Sequence, residues 1–192
     1  MQETQAHKYL MTTEDLARNL KLDFEPLAWP HKVYDYGRNR HIRVPKEHIS
    51  TELLEWLDRM NLKIDWVELF YSFPGYITKI HTDGQGGDYT KLNWQYGGQS
   101  SVMRYYRPIK QGHKDSVASS IDSDYLFWSA MEVEPVGDVK IGYPTLVQVG
   151  VPHNVVNLLT HRWVLSVIIL DKTHGGRLTW AEALDRFSHQ LV

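Results

Sequence analysis

Ile80-His81-Thr82-Asp83-Gly84 carries two potential metal ligands at the end of a predicted β-strand. The residues from Tyr76 to His81 alternate with a period of two, which is typical of a strand. Side chains two positions apart on a strand share a face, so His81 and Asp83 can converge on one ion. The glycines that follow Asp83 predict a loop at the rim of this site.

Similar patterns before and after this stretch predict seven more strands. The last of them is a nearly continuous apolar run, which is typical of a strand buried on both faces. About eight antiparallel strands with short helices beside them predict a mostly β fold, a jelly roll or double-stranded β-helix. The eight predicted strands cover 64–71, 76–81, 91–96, 101–106, 125–134, 143–149, 154–158 and 162–170.

Three helices are predicted at the flanks of these strands. One follows Thr12, and a second, amphipathic one has Ser50 as its N-cap. The third begins after Thr179, where Glu182 completes a capping box. The chain length of 192 residues fits one domain. We therefore expect a single domain over 1–192, with a helical and loop flank over 1–62, a jelly-roll core over 64–171 and a C-terminal helix over 179–192.

Composition excludes several classes of site. The chain has no cysteine, so a metal must be bound by histidine and carboxylate, and thiolate zinc sites and iron–sulfur clusters are ruled out. The net charge of −2 argues against a nucleic-acid partner. No apolar run reaches the roughly 18 residues of a membrane span, and the N-terminus lacks a signal-peptide core. We expect a soluble, cytoplasmic protein with no membrane partner, of a cell or of a phage-infected host.

The third ligand has to come from another part of the sheet. His153 lies in Gly150-Val151-Pro152-His153-Asn154, where one predicted strand ends and the next begins. Two histidines and one carboxylate on one face of an octahedral ion leave three positions open, which is the facial triad of non-haem Fe(II) oxygenases. His81, Asp83 and His153 are therefore the predicted metal ligands and catalytic residues. The same set is also acceptable to a hydrolytic zinc ion.

The spacing of this triad resembles that of the Fe(II)/2-oxoglutarate-dependent dioxygenases. Further sequence motifs resemble those of the aspartyl/asparaginyl-hydroxylase-like and phage-type branches of that superfamily, and the resemblance runs from about Trp66 to Asp171. These motifs are Phe73-Pro74-Gly75-Tyr76, Leu92-Asn93-Trp94, Ser101-x-Met103-x-Tyr105-Tyr106 and Val151-Pro152-His153-Asn154-Val155-x-Asn157.

The resemblance implies Fe(II), 2-oxoglutarate and O2 as cofactors. Arg162 falls nine residues after His153, where these enzymes place the cation for the distal carboxylate of 2-oxoglutarate, and Ser166 shares its strand face. The implied reaction hydroxylates a C–H bond of a small molecule, amino acid or peptide side chain and releases succinate and CO2. Asn93 and Tyr71 are further candidates for cosubstrate binding, with structural roles as the alternative for both.

Several residues near the motif have a plainer interpretation. Lys91 is a possible second carboxylate partner, but a solvated lysine at a strand end is favoured. Trp94, Met103 and Tyr105 are expected in the sheet core. Arg104 and Arg107 are expected to be exposed.

Two other functions compete with the oxygenase. A cupin-like metal-binding or ligand-binding module without redox chemistry uses the same fold and the same cluster. A nucleic-acid demethylase of the same superfamily is the other, although the net charge argues against it.

Overall fold

The computed structural model describes residues 7–9, 34–35, 39–84, 87–114, 125–140 and 144–191. The helix predicted after Thr12 lies outside these residues. Two α-helices are present in the described part, α1 (Thr51–Arg59) and α2 (Trp180–Arg186). The strands are β1 (His7–Tyr9), β2 (Tyr34–Asp35), β3 (Asn39–Val44), β4 (Leu62–Ser72), β5 (Tyr76–Ile77), β6 (Ile80–Thr82), β7 (Thr90–Gly97), β8 (Val102–Pro108), β9 (His113–Lys114), β10 (Leu126–Trp128), β11 (Val133–Val139), β12 (Thr145–Gln148), β13 (His153–Asn157) and β14 (Arg162–Asp171).

The described strands form two antiparallel sheets. The major sheet has the order β1-β12-β7-β14-β4-β3-β2, and the minor sheet has the order β11-β8-β13-β6-β10-β9, with β5 pairing with β13. Eight of these strands form the core, β12-β7-β14-β4 in one sheet and β11-β8-β13-β6 in the other. Apart from the step from β8 to β11, these eight core strands alternate between the two sheets along the chain. This arrangement is a jelly roll, which confirms the predicted fold class.

Helices α1 and α2 begin where the sequence predicts them, but α2 ends at Arg186, and a 3-10 helix over Ser188–Gln190 follows it. The Ser50 hydroxyl caps α1 by accepting a hydrogen bond from the Leu53 N–H at 3.2 Å. The capping box of Thr179 and Glu182 starts α2. The two helices meet where Trp56 and Phe187 pack with ring centroids 5.5 Å apart. They cover one face of the major sheet and close the largest hydrophobic cluster of the described residues.

The two faces of the major sheet differ in polarity. The face under the helices carries Leu92 and Trp94 of β7 and Leu165 of β14, each at most 2% exposed. Burial of a large apolar side chain contributes about 1.5–3 kcal/mol, so this face accounts for much of the stability of the fold. The opposite face of the same strands looks into the space between the sheets. That inner face combines apolar residues with buried polar side chains, which are those of Glu68, Lys91, Asn93, Arg162 and Ser166.

Two predicted strands are interrupted. The strand predicted over 76–81 is two short strands, because Thr78 turns to β13 and its hydroxyl accepts a 2.7 Å hydrogen bond from the Val155 N–H. The strand predicted over 125–134 is wrong as one element. After β10 a capping box between Ser129 and Glu132 starts a 3-10 turn, and β11 then continues to Val139.

Candidate metal centre

The two histidines of the predicted triad are direct neighbours across two strands. His81 lies on β6 and His153 begins β13, and the two residues are register partners in the minor sheet. Residues directly opposite on antiparallel strands share a face. Their rings therefore lie side by side, with centroids 4.6 Å apart.

Both imidazoles are oriented by the same kind of hydrogen bond. Nδ1 of His81 lies 2.8 Å from the Lys79 carbonyl oxygen, and Nδ1 of His153 lies 2.8 Å from the Val151 carbonyl oxygen. A carbonyl only accepts, so each Nδ1 carries the proton and donates it. Nε2 of each ring is then unprotonated in the neutral form and available to a metal ion, which is the orientation that ligating histidines adopt in proteins.

Asp83 completes the group just after β6 ends. Its backbone N–H donates to the Val149 carbonyl at 2.9 Å, which ties the residue to the end of β12. One carboxylate oxygen, Oδ1, lies 3.4 Å from Nε2 of His81. One ligand atom from each of His81, Asp83 and His153 lies within 4.8 Å of the others. The structure thus brings the predicted triad together, and these three residues can hold a metal ion.

Lys91 lies inside this site, so the favoured interpretation as a solvated lysine is wrong. It is 6% exposed, and its Nζ lies 2.8 Å from Oδ2 of Asp83 and 3.4 Å from Oε2 of Glu68. Glu68 is itself 5% exposed and was not identified from the sequence. A signal did exist, because polar and apolar residues alternate along 91–95. The alternation indicates two different faces, but it does not show which of them lies inside.

The charges of the site stabilise one another. Burial on its own would raise the pKa of Asp83, but the Lys91 ammonium holds that pKa well below its usual range. Burial on its own would lower the pKa of Lys91, and Asp83 and Glu68 raise it well above the usual value. Burial and the neighbouring His81 lower the pKa of His153 to about 4. His153 is therefore neutral at pH 7, as a metal ligand must be.

Arg162 lies on the inner face at the first position of β14. It is 5% exposed, and its Nε donates to Oε1 of Gln95 at 2.9 Å. Gln95 is fixed in turn, because its Nε2 donates to the carbonyls of Gly97 and Gly98 at 3.1 Å. No carboxylate pairs with Arg162 among the described residues. Burial lowers the pKa of Arg162 to about 9, so its guanidinium remains charged at neutral pH.

Ser166 and Asn93 lie on the same inner face. Ser166 is 2% exposed, and its register partners are Asn93 on β7 and Glu68 on β4. The Oδ1 atom of Asn93 is buried and has no hydrogen-bond partner in the described part of the chain. An orphaned buried acceptor is rare in proteins, and it fits a site that receives a further polar group.

The structure does not bring Tyr71 to this inner face. Tyr71 is the register partner of Trp163, on the opposite face of β4. Its ring stacks on His161 and contacts Trp163 with centroids 4.2 Å apart, and its hydroxyl hydrogen-bonds to Nδ1 of His161. These contacts support the structural alternative for Tyr71.

The remaining sequence candidates take the plainer roles. Trp94 is buried under the helices, and Met103 and Tyr105 pack in a second cluster with Tyr89. Tyr105 is also near the triad, 6.0 Å from His153 between ring centroids. Arg104 and Arg107 pair on the surface with acids of the neighbouring strand β11, Asp138 and Glu134.

Two nitrogens and one carboxylate oxygen suit several divalent ions, including Fe(II), Mn(II) and Zn(II). Because all three ligands come from one side, an octahedral ion keeps three positions for water or for another ligand. The donor set fits a metal that binds a small molecule directly. It also fits a zinc ion that activates water. The triad by itself therefore defines a metal site, and the residues around it decide which reaction the metal supports.

No protein-family model matches the chain, and no curated protein matches it significantly. Weak likenesses to solved structures exist, and the chain spans about a third of the length of each of the three given below. The capsular polysaccharide assembling protein CapF from Staphylococcus aureus is 16% identical, with a TM-score of 0.38, 79% of this chain covered and 34% of CapF. Vicilin from Corylus avellana is 12% identical, with a TM-score of 0.41, 80% of this chain covered and 34% of vicilin.

The ycfD protein of E. coli is 15% identical, with a TM-score of 0.42, 77% of this chain covered and 36% of ycfD. At these TM-scores the likenesses carry no argument about function. The jelly roll is established by the strand order given above. Neither described helix has the length and apolar character that a membrane-crossing segment requires.

Proposed function

We propose that this protein is an Fe(II)- and 2-oxoglutarate-dependent oxygenase that hydroxylates a C–H bond of a small molecule, amino acid or peptide side chain. His81, Asp83 and His153 would hold the iron, and Arg162 would receive the distal carboxylate of 2-oxoglutarate. The observation that carries the proposal is a buried guanidinium that faces the same interior as the triad and has no carboxylate partner among the described residues.

The charge balance of the interior supports a dianionic ligand. Four buried acidic or strongly basic side chains face the space between the sheets in the described part of the chain, namely Glu68, Asp83, Lys91 and Arg162. Two are acids and two are bases, so their charges cancel. A divalent metal ion would leave two uncompensated positive charges in a region of low dielectric constant, which is costly. A dicarboxylate such as 2-oxoglutarate supplies the two negative charges that restore the balance.

In this proposal each residue has a defined task. Bound iron with 2-oxoglutarate supplies the oxidising chemistry, and the protein supplies ligation, orientation and exclusion of water. The histidine Nδ1 protons fix the two rings, so that Nε2 of each would be free to bind the ion. Gln95 holds the Arg162 guanidinium in place by accepting from Nε, which leaves the terminal N–H groups for a carboxylate. Ser166 and the Oδ1 atom of Asn93 lie between these two ends.

A cupin-like module that binds a metal and a ligand without redox chemistry is the second candidate. The observation that favours it is the ion pair of Asp83 with Lys91, because this pair already satisfies Asp83 and stabilises the site without an iron ion. The jelly-roll topology suits both functions equally. The two candidates differ in whether a keto acid binds to the metal and is consumed.

The test measures keto-acid binding first, because no substrate has to be known for it. Metal-free protein is loaded anaerobically with Fe(II) and titrated with 2-oxoglutarate, and the visible charge-transfer absorption of an iron–keto-acid chelate is followed. Glutarate serves as the control ligand because it has both carboxylates but no keto group. In air with ascorbate, the proposal further expects release of succinate from 2-oxoglutarate.

Matched variants separate the parts of the site. His81→Ala is expected to abolish iron binding and succinate release, whereas Arg162→Met should retain iron and bind 2-oxoglutarate at least about 100-fold more weakly, as expected for loss of a buried charge pair. Arg104→Met is the control because it removes an arginine whose partner, Asp138, lies on the surface. Iron binding without any chelate absorption or succinate would favour the module over the oxygenase.

A further inference from the structure

Three charged side chains form a buried row beside the candidate metal ligands. Lys91 lies between Asp83 and Glu68, at 2.8 Å and 3.4 Å, and all three residues are at most 7% exposed. Only Asp83 of the three belongs to the triad. Burying a lysine is costly unless opposite charges compensate it, as Asp83 and Glu68 do here.

We infer that Lys91, held by Glu68, is a positioning residue that restricts Asp83 to one-oxygen ligation of the metal. This inference rests on the metal centre of the proposed function, but it does not depend on the keto acid. The two oxygens of Asp83 are engaged on different sides, since Oδ2 accepts from Lys91 and Oδ1 faces Nε2 of His81. The ammonium therefore occupies the oxygen that Asp83 would need for two-oxygen ligation.

Lys91 is surrounded by buried neighbours on the adjacent strands. Lys91 lies on β7, an interior strand of the major sheet, and its register partners are Val147 on β12 and Ile168 on β14. Both partners are 0% exposed. Glu68 gives the ammonium a second acceptor at 3.4 Å, so two carboxylates hold the lysine. A surface lysine would have no such restriction, as the exposed pair of Lys172 with Asp58 illustrates.

One-oxygen ligation has a direct consequence for the number of open positions. With Nε2 of two histidines and one oxygen of Asp83, an octahedral ion keeps three positions, enough for a ligand that binds through two atoms and for one more molecule. If Asp83 bound through both oxygens, only two positions would remain. Lys91 would in this way protect the third position without touching the ion itself.

The experiment uses Mn(II) as the probe, because water-proton relaxation of the Mn(II)-loaded full chain reports how many water molecules the ion holds. In the unchanged protein three bound waters are expected. In Lys91→Met, Asp83 is free to bind through both oxygens, so the number should fall to two. The affinity for Mn(II) should rise by at least about tenfold, because a like charge near the ion is removed.

A second variant covers the case in which two unpaired buried acids prevent Lys91→Met from folding. Lys91→Met combined with Glu68→Gln removes one charge of each sign, and it is expected to show the same fall to two waters with a smaller change in affinity. Lys172→Met is the matched control for removal of a lysine, and it should leave both quantities unchanged.

Three waters and an unchanged Mn(II) affinity in either Lys91 variant would overturn the inference. The same result together with a loss of 2-oxoglutarate affinity would identify Lys91 as a cosubstrate ligand instead, which also overturns it. If the unchanged protein binds Mn(II) but 2-oxoglutarate does not change the number of bound waters, the result counts against the oxygenase. The inference about Lys91 is then still tested by the number of waters in the Lys91 variants. Absence of Mn(II) binding in the unchanged protein would overturn both.

Discussion

Replacing Arg162 by methionine should make the ligand-free protein more stable. The guanidinium is buried, and its only described polar partner is the neutral amide of Gln95. Methionine keeps the Cβ and Cγ atoms of the arginine stem, which lie against Gly98, and it removes the charge. A charge without an opposite partner is expensive in an interior, whereas an unbranched apolar side chain of similar length is not.

The size of the effect follows from the pKa of Arg162. Burial lowers it from 12.5 to about 9, which corresponds to a penalty of about 5 kcal/mol for the charged form in the folded state. At pH 7 the arginine is charged in both the folded and the unfolded protein, so the whole penalty is present. Methionine also loses the charge-assisted hydrogen bond to Gln95, worth about 1.5–3 kcal/mol, which leaves a net gain of about 2–3 kcal/mol. We expect a gain within that range.

Urea unfolding at pH 7 in the absence of ligand measures this free energy directly, with Arg104→Met as the control. Arg104 is about 39% exposed and paired with Asp138, so its replacement should change stability by less than about 1 kcal/mol. A loss of stability in Arg162→Met would refute the reasoning, because it would mean that Arg162 already has an anionic partner. The gain should also shrink gradually as the pH rises from about 9, since the folded wild-type protein then begins to release its proton while the unfolded protein remains charged.

Three further predictions concern the turn beside Arg162, the cap of α2 and metal binding. Gly98→Ala should lower the free energy of unfolding in urea by about 1–3 kcal/mol, because φ of Gly98 is +58° and an added Cβ would lie 2.8 Å from the Cβ of Arg162. Gly175→Ala is the control for backbone strain alone, because φ of Gly175 is +72° and an added Cβ would have no atom within 4 Å. The Thr179 backbone N–H lowers the pKa of Glu182. The stabilisation by this helix cap is therefore fully present above the ordinary pKa of a glutamate, and it is lost as the pH falls through the lowered pKa. In Glu182→Gln the thermal unfolding temperature should vary less with pH in the acid range. Mn(II) at about 100 times its Kd should stabilise the unchanged protein by about 2.7 kcal/mol in thermal unfolding, and should leave His81→Ala unaffected.

Local signals in the sequence were enough to predict the elements that depend on local interactions. The Ser50 cap and the Thr179–Glu182 capping box involve residues three positions apart, so both can be read from the chain. The pairing of His81 with His153 depends on distant strands. It could be predicted because strand parity and ligand chemistry together leave few arrangements for a metal site.

The position of Lys91 could not be predicted in the same way. Residues 91–95 alternate polar and apolar side chains, a pattern that in most sheets places the polar side chains in water. Here the apolar side packs under α1 and α2, and the polar side faces the space between the sheets. Only the placement of the helices on one face of the sheet decides between these two orientations, and that is a property of the tertiary structure.

The row of Asp83, Lys91 and Glu68 has a consequence for the natural history of this chain. A leucine under the helices can be exchanged for another apolar residue of similar volume without regard to its neighbours. A member of the charged row cannot change alone, because each loss leaves an unmatched ion in the interior. Descendants of this protein should therefore alter these positions jointly or keep them all, so that covariation among the three sites would record the electrostatic constraint.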